Sequence, residues 1–355
     1  MKLKSSNALL YNVAAVIVGL IISASLLLFM DVSPIDVCSK TLSKILTDRY
    51  NLGEILVKAT PLIFTSLAFA FTYQANLFNI GAQGQFTMGA IAAVSISLAL
   101  QNVVPTWLLL ILAMLGAFVA GSIVGALIGL AKAKCNANEF LVSMMSTYVV
   151  TSLCDYLLRT VLQETKAEYL QTDAIAKSAY LPNILSGTRV HLGLALAVIV
   201  AIAVSVMLKH TPLGFRIRAV GKNNHAARLG GINTDNIYII SFLIAGGLAG
   251  LAGFTEINGV QHMLLQNFNS SIGSFGIGIA ILANGSPIGC IFASILFGFL
   301  NIVGTTMGRL PGLSIPASII ELIEGIVMTC VIISYAVRAY MQNYTEKKRM
   351  RKAGV

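Results

Sequence analysis

The sequence predicts an all-α integral membrane protein of about ten transmembrane helices, some of them discontinuous half-helices, with both termini cytoplasmic. Three observations carry this. Of 355 residues, 56% are apolar and only 11% charged, with a mean hydropathy of +0.82, a balance outside the range of soluble domains. Charge is also absent over long distances, since residues 59–131 and 257–308 contain no Asp, Glu, Lys or Arg. At about 20 residues per crossing, each gap holds several spans. Finally, the apolar segments are continuous rather than alternating over about ten residues, which excludes a membrane β-barrel. A soluble enzyme, a disordered tail and a peripheral helix are excluded with it.

The spans follow in order from where charge, Gly and Pro interrupt the apolar runs. Lys2 and Lys4 precede residues 9–30, a charge-free stretch too long for a signal-peptide core and without a convincing small-residue cleavage site, so it reads as a retained first span. Further spans are expected at residues 54–73, 83–101, 107–131, 140–162, 191–208, 236–256, 272–284, 288–304 and 316–338. The eighth is too short to cross alone. With Asn284, Gly285, Ser286 and Pro287 after it, it reads as a half-helix ending inside protein, where freed backbone groups find partners or a wet cavity. The whole of 1–355 reads as one transmembrane domain, with a cytoplasmic loop at 209–235 and a basic cytoplasmic tail at 339–355.

Orientation follows from basic residues. With the N-terminus inside, fifteen Lys and Arg fall in inner segments and seven in outer ones, while Lys58 and Arg159 lie within spans. The net charge of +10 is mostly this topology signal, and no soluble basic domain exists to bind nucleic acid. Glu54 with Lys58, and Asp155 with Arg159, are spaced for i,i+4 ion pairs. Gly121, Gly125 and Gly129, and Gly246, Gly250 and Gly253, place small residues on helix faces and predict close helix packing. The five cysteines show no CxxC spacing, and the four histidines are scattered, so no metal site is expected. A phosphate-cradling GxxxxGK[ST] loop is also missing: Gly221 and Lys222 are followed by Asn223, with no glycine five positions earlier.

Two polar segments stand out against this background. In 209–235, Gly214, Arg216, Arg218, Gly221, Asn223, Ala226, Ala227, Arg228 and Gly231 punctuate a basic stretch. Asn223 or Asn224 is placed to cap a short helix through Arg228, and Gly230 with Gly231 to end it. Two short helices with a glycine hinge suit docking into a groove on a cytosolic partner; the alternative is a positive-inside anchor loop. In the second segment, Asn76, Asn79, Gln83 and Gln85 interrupt an apolar region at the junction of spans two and three. They read either as amides lining a translocation path, together with Asn284, or as a tight turn between spans.

These residues resemble a known family, the permease subunits of bacterial ABC importers for branched-chain amino acids, simple sugars and nucleosides. Phe78-Asn79-Ile80-Gly81-Ala82-Gln83-Gly84-Gln85 is similar to its FNIGAEGQ-type signature, and Gly214 through Ile232 to its GxxxRAxGxNxxAAxxxGI coupling segment. Within the family the chain looks most like the larger permease of nucleoside importers served by a basic membrane lipoprotein. Gln83 stands where the pattern commonly has Glu, removing a negative charge near the expected path. The resemblance implies a non-enzymatic permease in the bacterial plasma membrane, binding no cofactor itself, while ATP and Mg are used by partner subunits. It implies a second permease chain, an ATP-binding cassette protein docked on 209–235, and an extracellular substrate-binding lipoprotein, with membrane lipids around. The solute expected is a nucleoside. Simple sugars, riboflavin-like compounds and branched-chain amino acids are alternatives within the family, and an ion-coupled secondary carrier is the alternative outside it.

Overall fold

A computed structural model describes residues 5–28, 33–164, 169–268 and 271–309, and within the remainder 319, 322–323, 325–334 and 337. Twelve α-helices are resolved over the first four of these stretches: α1 Ser5–Leu28, α2 Pro34–Thr47, α3 Arg49–Tyr73, α4 Ala82–Leu100, α5 Thr106–Cys135, α6 Glu139–Arg159, α7 Gly193–His210, α8 Pro212–Lys222, α9 Asn224–Leu229, α10 Thr234–Glu256, α11 Ile272–Leu282 and α12 Pro287–Met307. Among the described residues, seven helices are long and apolar enough to cross a membrane: α3, α4, α5, α6, α7, α12, and α10 together with a π-helical turn at Ile257–Gln261. The chain is an all-α membrane protein. The expected spans from the second to the ninth each coincide with a helix, including the half-helix α11. The expected tenth span is described only in part, as a helical run at Gly325–Ser334 and a few isolated positions, and the basic tail at 339–355 lies outside the described residues altogether.

The chain divides into two compact units, residues 1–52 with 299–355, and residues 53–298. In the smaller one, Gly19 of α1 packs against the backbone of Val327, so that a methyl group there would collide with it. Helix α2 was not expected, because its apolar residues are too sparse to read as a span. Their spacing is nevertheless helical, and Ser33 caps the start by accepting the Asp36 N–H.

The larger unit is built on α4, α5 and α10. Here the glycine repeats act as expected: a Cβ on Gly121 or Gly246 would overlap the carbonyl of the other, one on Gly125 would overlap the Phe242 carbonyl, and one on Gly253 the Phe86 carbonyl. Backbone therefore lies against backbone across these helices, and dispersion acts over the full contact. Phe86, Phe242 and Phe254 fill the space the glycines leave, all fully buried.

The segment between α6 and α7 forms a cap stitched to the end of α10. Thr172 N–H donates to the Leu264 carbonyl at 3.0 Å, Ile175 N–H to His262 at 2.9 Å, and Leu181 N–H to Asn258 at 2.8 Å. Asn258, fully buried, donates to Ser97 Oγ at 2.9 Å and to the Ala179 carbonyl at 2.8 Å. The two expected i,i+4 ion pairs do not form. Glu54 lies instead 3.7 Å from Arg189, because Gly53 packs on Thr188 and turns the first exposed turn of α3 toward the cap. Asp155 is half-buried and Arg159 exposed at the end of α6, with no ion pair between them.

Candidate functional site

The amide-rich segment begins where α3 ends. Asn76 adopts a left-handed conformation (φ 58°), with Asn76 N–H donating to the Tyr73 carbonyl at 3.0 Å and Leu77 N–H to the Thr72 carbonyl at 3.1 Å. This is the two-bond helix terminus that left-handed Asn or Gly permits. The chain then rises again alongside α6, where Ile80 N–H donates to Ser143 Oγ at 3.3 Å. Asn79 and Gln85 are fully buried and bonded to each other, Asn79 Nδ2 donating to Gln85 Oε1 at 2.9 Å and Gln85 Nε2 to Asn79 Oδ1 at 3.3 Å. That reciprocal pair ties the loop to the first turn of α4. Its physical role is to satisfy two buried amides that would otherwise be costly.

Gln83 does something different. Its Oε1 accepts the Gly273 N–H at 2.6 Å, so an amide from α4 caps the start of the half-helix α11 across 190 residues of sequence. Free N–H groups at a helix start attract any acceptor. Gly273 and Gly276 make room for this: a Cβ on the first would overlap the Gln83 backbone, and on the second would press on Thr65. Thr65 Oγ1 also reaches the Ile272 carbonyl at 3.3 Å. With 11 residues, α11 is roughly 16 Å long, about half a hydrocarbon core. It ends at Asn284, again left-handed (φ 52°), with Asn284 N–H bonded to Ile281 and Gly285 N–H to Ala280. Asn76 and Asn284 thus occupy equivalent turn positions on neighbouring helix ends, joined where Gln74 Nε2 donates to the Gly285 carbonyl at 2.8 Å.

The basic loop folds as two short helices. Thr211 caps α8 by accepting the Gly214 N–H at 3.1 Å, and Gly214 sits so close to the last turn of α7 that any side chain would strike the Met207 carbonyl. Asn223 ends α8 and caps α9, its Oδ1 accepting the Ala226 N–H at 3.0 Å. Gly231 (φ 80°) ends α9 with the same two-bond terminus seen at Asn76. Ala227 is buried beneath α9 while Ala226 is exposed. Arg228 is held within the loop: its Nη2 lies 2.9 Å from Asp235 Oδ1, and its Nε donates to Thr234 Oγ1 at 2.7 Å. Among the described residues, Arg216, Arg218 and Lys222 enter no ion pair.

Two features here escaped the sequence. Phe215 and Leu229 are 62% and 91% exposed, one on each short helix, although a large apolar side chain is normally withdrawn from water. Their neighbours Ile217 and Val220 are buried, so the helical period alone would have marked which residues face out. The other feature is Gly221, where a Cβ would overlap the Gln74 carbonyl. Helix α8 therefore rests directly on the turn at the end of α3, and the two polar segments separated by more than a hundred residues form one contact.

Among the described residues no three His, Cys, Asp or Glu side chains come together to hold a metal. The class is that of polytopic α-helical membrane proteins. Residues 51–332 match the family described as branched-chain amino acid transport system / permease component, and the chain belongs to that family. It is 30% identical over 347 residues to the guanosine ABC transporter permease protein NupP of Bacillus subtilis, covering 97% of this chain and 99% of the relative. It is 33% identical over 342 residues to the glucose ABC transporter permease protein TsgB13 of Haloferax volcanii, covering 92% and 88%. A third relative is the nucleoside ABC transporter permease protein NupB of Lactococcus lactis, 26% identical over 345 residues, covering 95% and 94%.

Proposed function

We propose that this chain is the translocating subunit of an ATP-binding-cassette importer for nucleosides in a bacterial plasma membrane, crossing it about ten times with both termini in the cytoplasm. In this reading a partner ATPase docks on α8 and α9, a second permease chain completes the path, and an external lipoprotein delivers the solute. The observation that carries the reading is the contact of Gly221 with the Gln74 turn. A push on α8 reaches the end of α3 through that contact. From there it reaches the α11–α12 turn through the Gln74–Gly285 bond, and at the other end of α11 sits the cap made by Gln83. ATP binding and hydrolysis in the partner would thus move a half-helix inside the membrane, as alternating access requires.

Exposed Phe215 and Leu229 supply apolar anchors for the ATPase groove, with Arg216, Arg218 and Lys222 as the charges around them. Of the five amides expected along the path, Gln83 is the one whose position supports a role in gating. Asn79 and Gln85 are bonded to each other, while Asn76 and Asn284 shape turns. A neutral amide at 83 suits a solute recognised by hydrogen bonds rather than charge. A second reading, a sugar permease, is favoured by the match to the Haloferax glucose permease.

The test is uptake by proteoliposomes carrying this chain with its partner permease and ATPase. Guanosine entry that requires ATP and is not displaced by excess glucose is expected. Displacement by glucose would replace the solute, and entry driven by a proton or sodium gradient with this chain alone would overturn the importer reading itself. Leu229→Asp is expected to release the ATPase while leaving the permease inserted, since truncating such an anchor costs on the order of 2 kcal/mol or more.

A further inference from the structure

Helix α2 carries three separate faces on 14 residues. Val37, Thr41 and Ile45, spaced by four, are buried. Ile35, Leu42 and Leu46 are 81%, 40% and 66% exposed and fall together on a second face. On the third, Ser39, Lys40, Ser43, Lys44 and Thr47 line an open groove with Asp48, and neither lysine enters an ion pair among the described residues. At about 100° per residue the exposed apolar stripe and the lysine stripe are each rotated by roughly a third of a turn from the buried one.

Connectivity fixes where this helix lies. Helix α1 has 24 residues and no charge and covers most of the first span expected at residues 9–30, with Ala14–Ser25 its apolar stretch. Helix α3 begins one residue after α2 ends. The corner is rigid: Asp48 Oδ1 accepts the Tyr50 N–H at 2.9 Å, and Asn51 Nδ2 donates to the Lys44 carbonyl at 3.4 Å. Lying between the expected first span and the spanning helix α3, α2 is placed by connectivity at the membrane surface. Water alone would not favour three exposed aliphatic side chains in register. A bilayer boundary offers acyl chains on one side and phosphates on the other at once, which matches the two exposed faces together.

We infer that α2 is an interfacial anchor that seats Ile35, Leu42 and Leu46 among acyl chains and brings Lys40 and Lys44 to the phosphodiester groups of lipids, setting the depth of the smaller unit. This is independent of what the permease carries. Trp107 is the chain's one tryptophan, so a Trp107→Phe background makes an introduced indole specific. The full chain in nanodiscs of phosphatidylcholine brominated near the top of its acyl chains is expected to show Leu46→Trp fluorescence quenched several-fold more than Ser43→Trp. Equal quenching, or quenching of Leu46→Trp by aqueous iodide instead, would overturn the anchor and leave the face to a protein partner. In native mass spectrometry, Lys40→Gln with Lys44→Gln is expected to retain several-fold fewer phospholipids than the parent chain. Unchanged retention would remove the lysines from headgroup contact.

Discussion

The cap between α6 and α7 and the basic loop between α7 and α10 are both polar connecting segments, yet they are attached in opposite ways. The cap is held by backbone hydrogen bonds to Asn258, His262 and Leu264, and by Asn258 reaching both Ser97 and Ala179. The loop closes most of its hydrogen bonds on itself, through Thr211, Asn223 and the Arg228–Asp235 pair, and meets the α3 turn through the glycine contact at Gly221. The cap also buries His191 and stacks His262 on Tyr180 with ring centroids 3.6 Å apart, whereas the loop presents Phe215 and Leu229 outward. One segment is built to stay in place. The other is a compact pair of short helices that meets α7 at Gly214, the α3 turn at Gly221 and the start of α10 through Arg228.

Filling the gaps between helices breaks both regions at once and gives the largest expected effect. Gly246→Val forces a side chain into the Gly121 carbonyl, backbone against backbone, with no flexible atom able to yield. The expected outcome is a chain that no longer elutes as a single species in size-exclusion chromatography after detergent extraction. A monodisperse, normally melting Gly246→Val variant would mean that α5 and α10 are not in the contact described. Next comes Gly221→Leu, which separates the regions. Its Cβ meets the Gln74 carbonyl, and overpacking costs roughly 1–3 kcal/mol. Because the strain falls on the contact proposed to carry movement from α8 to α3, solute uptake should fall far more than membrane-inserted protein. Equal losses in both would make the contact structural only.

Much of this was legible in the sequence and some was not. The half-helix could be read because Asn284, Gly285 and Pro287 terminate an apolar run too short to span. The caps of α9 could be read because Asn223 and Gly231 act on backbone within a few residues of themselves. What was hidden depends on contacts between distant segments: Gln83 capping α11 at Gly273, Gly221 under Gln74, and Glu54 turning from Lys58 to Arg189. Local spacing constrains neighbours on one helix and is silent about which helix lies opposite. Helix α2 was missed for another reason, since a segment with three faces looks mixed to any test that seeks one apolar face.

A milder probe addresses the cap alone. Burial, helped by the nearby His262 and Arg189, holds the His191 imidazole down to about 4 from its usual 6.5. The folded state therefore prefers neutral His191, whose Nδ1 accepts the Gly193 N–H at 3.2 Å. With the folded value below the unfolded one, the unfolded chain binds more protons between the two. This contribution is complete above about pH 6.5 and is lost as pH falls toward 4. His262 is lowered too, chiefly by burial, and acts in the same sense. The melting temperature should drop from pH 7.5 to pH 5, and His191→Gln should shrink that drop. A variant with the parent's full pH dependence would place the titration elsewhere.

The smallest effect expected is also the most discriminating for the loop. Arg228 resembles a docking charge in sequence, but its guanidinium is committed to Asp235 and Thr234. The pair is more than a third exposed on both sides, so solvent screening limits it to about 0.2–1 kcal/mol. If Arg228 serves the fold of α9, then Arg228→Ala and Asp235→Ala should weaken ATPase binding by similar small amounts, and the double variant should be little worse than either. If Arg228 instead meets the partner, Arg228→Ala should be the more damaging, and the two losses should add, since residues acting on different surfaces are energetically independent. The same comparison on Arg218, which has no internal acid, should show a loss that no second substitution within the chain absorbs. A difference between Arg218 and Arg228 in this cycle thus separates the charges that face outward from the one that holds the loop in shape.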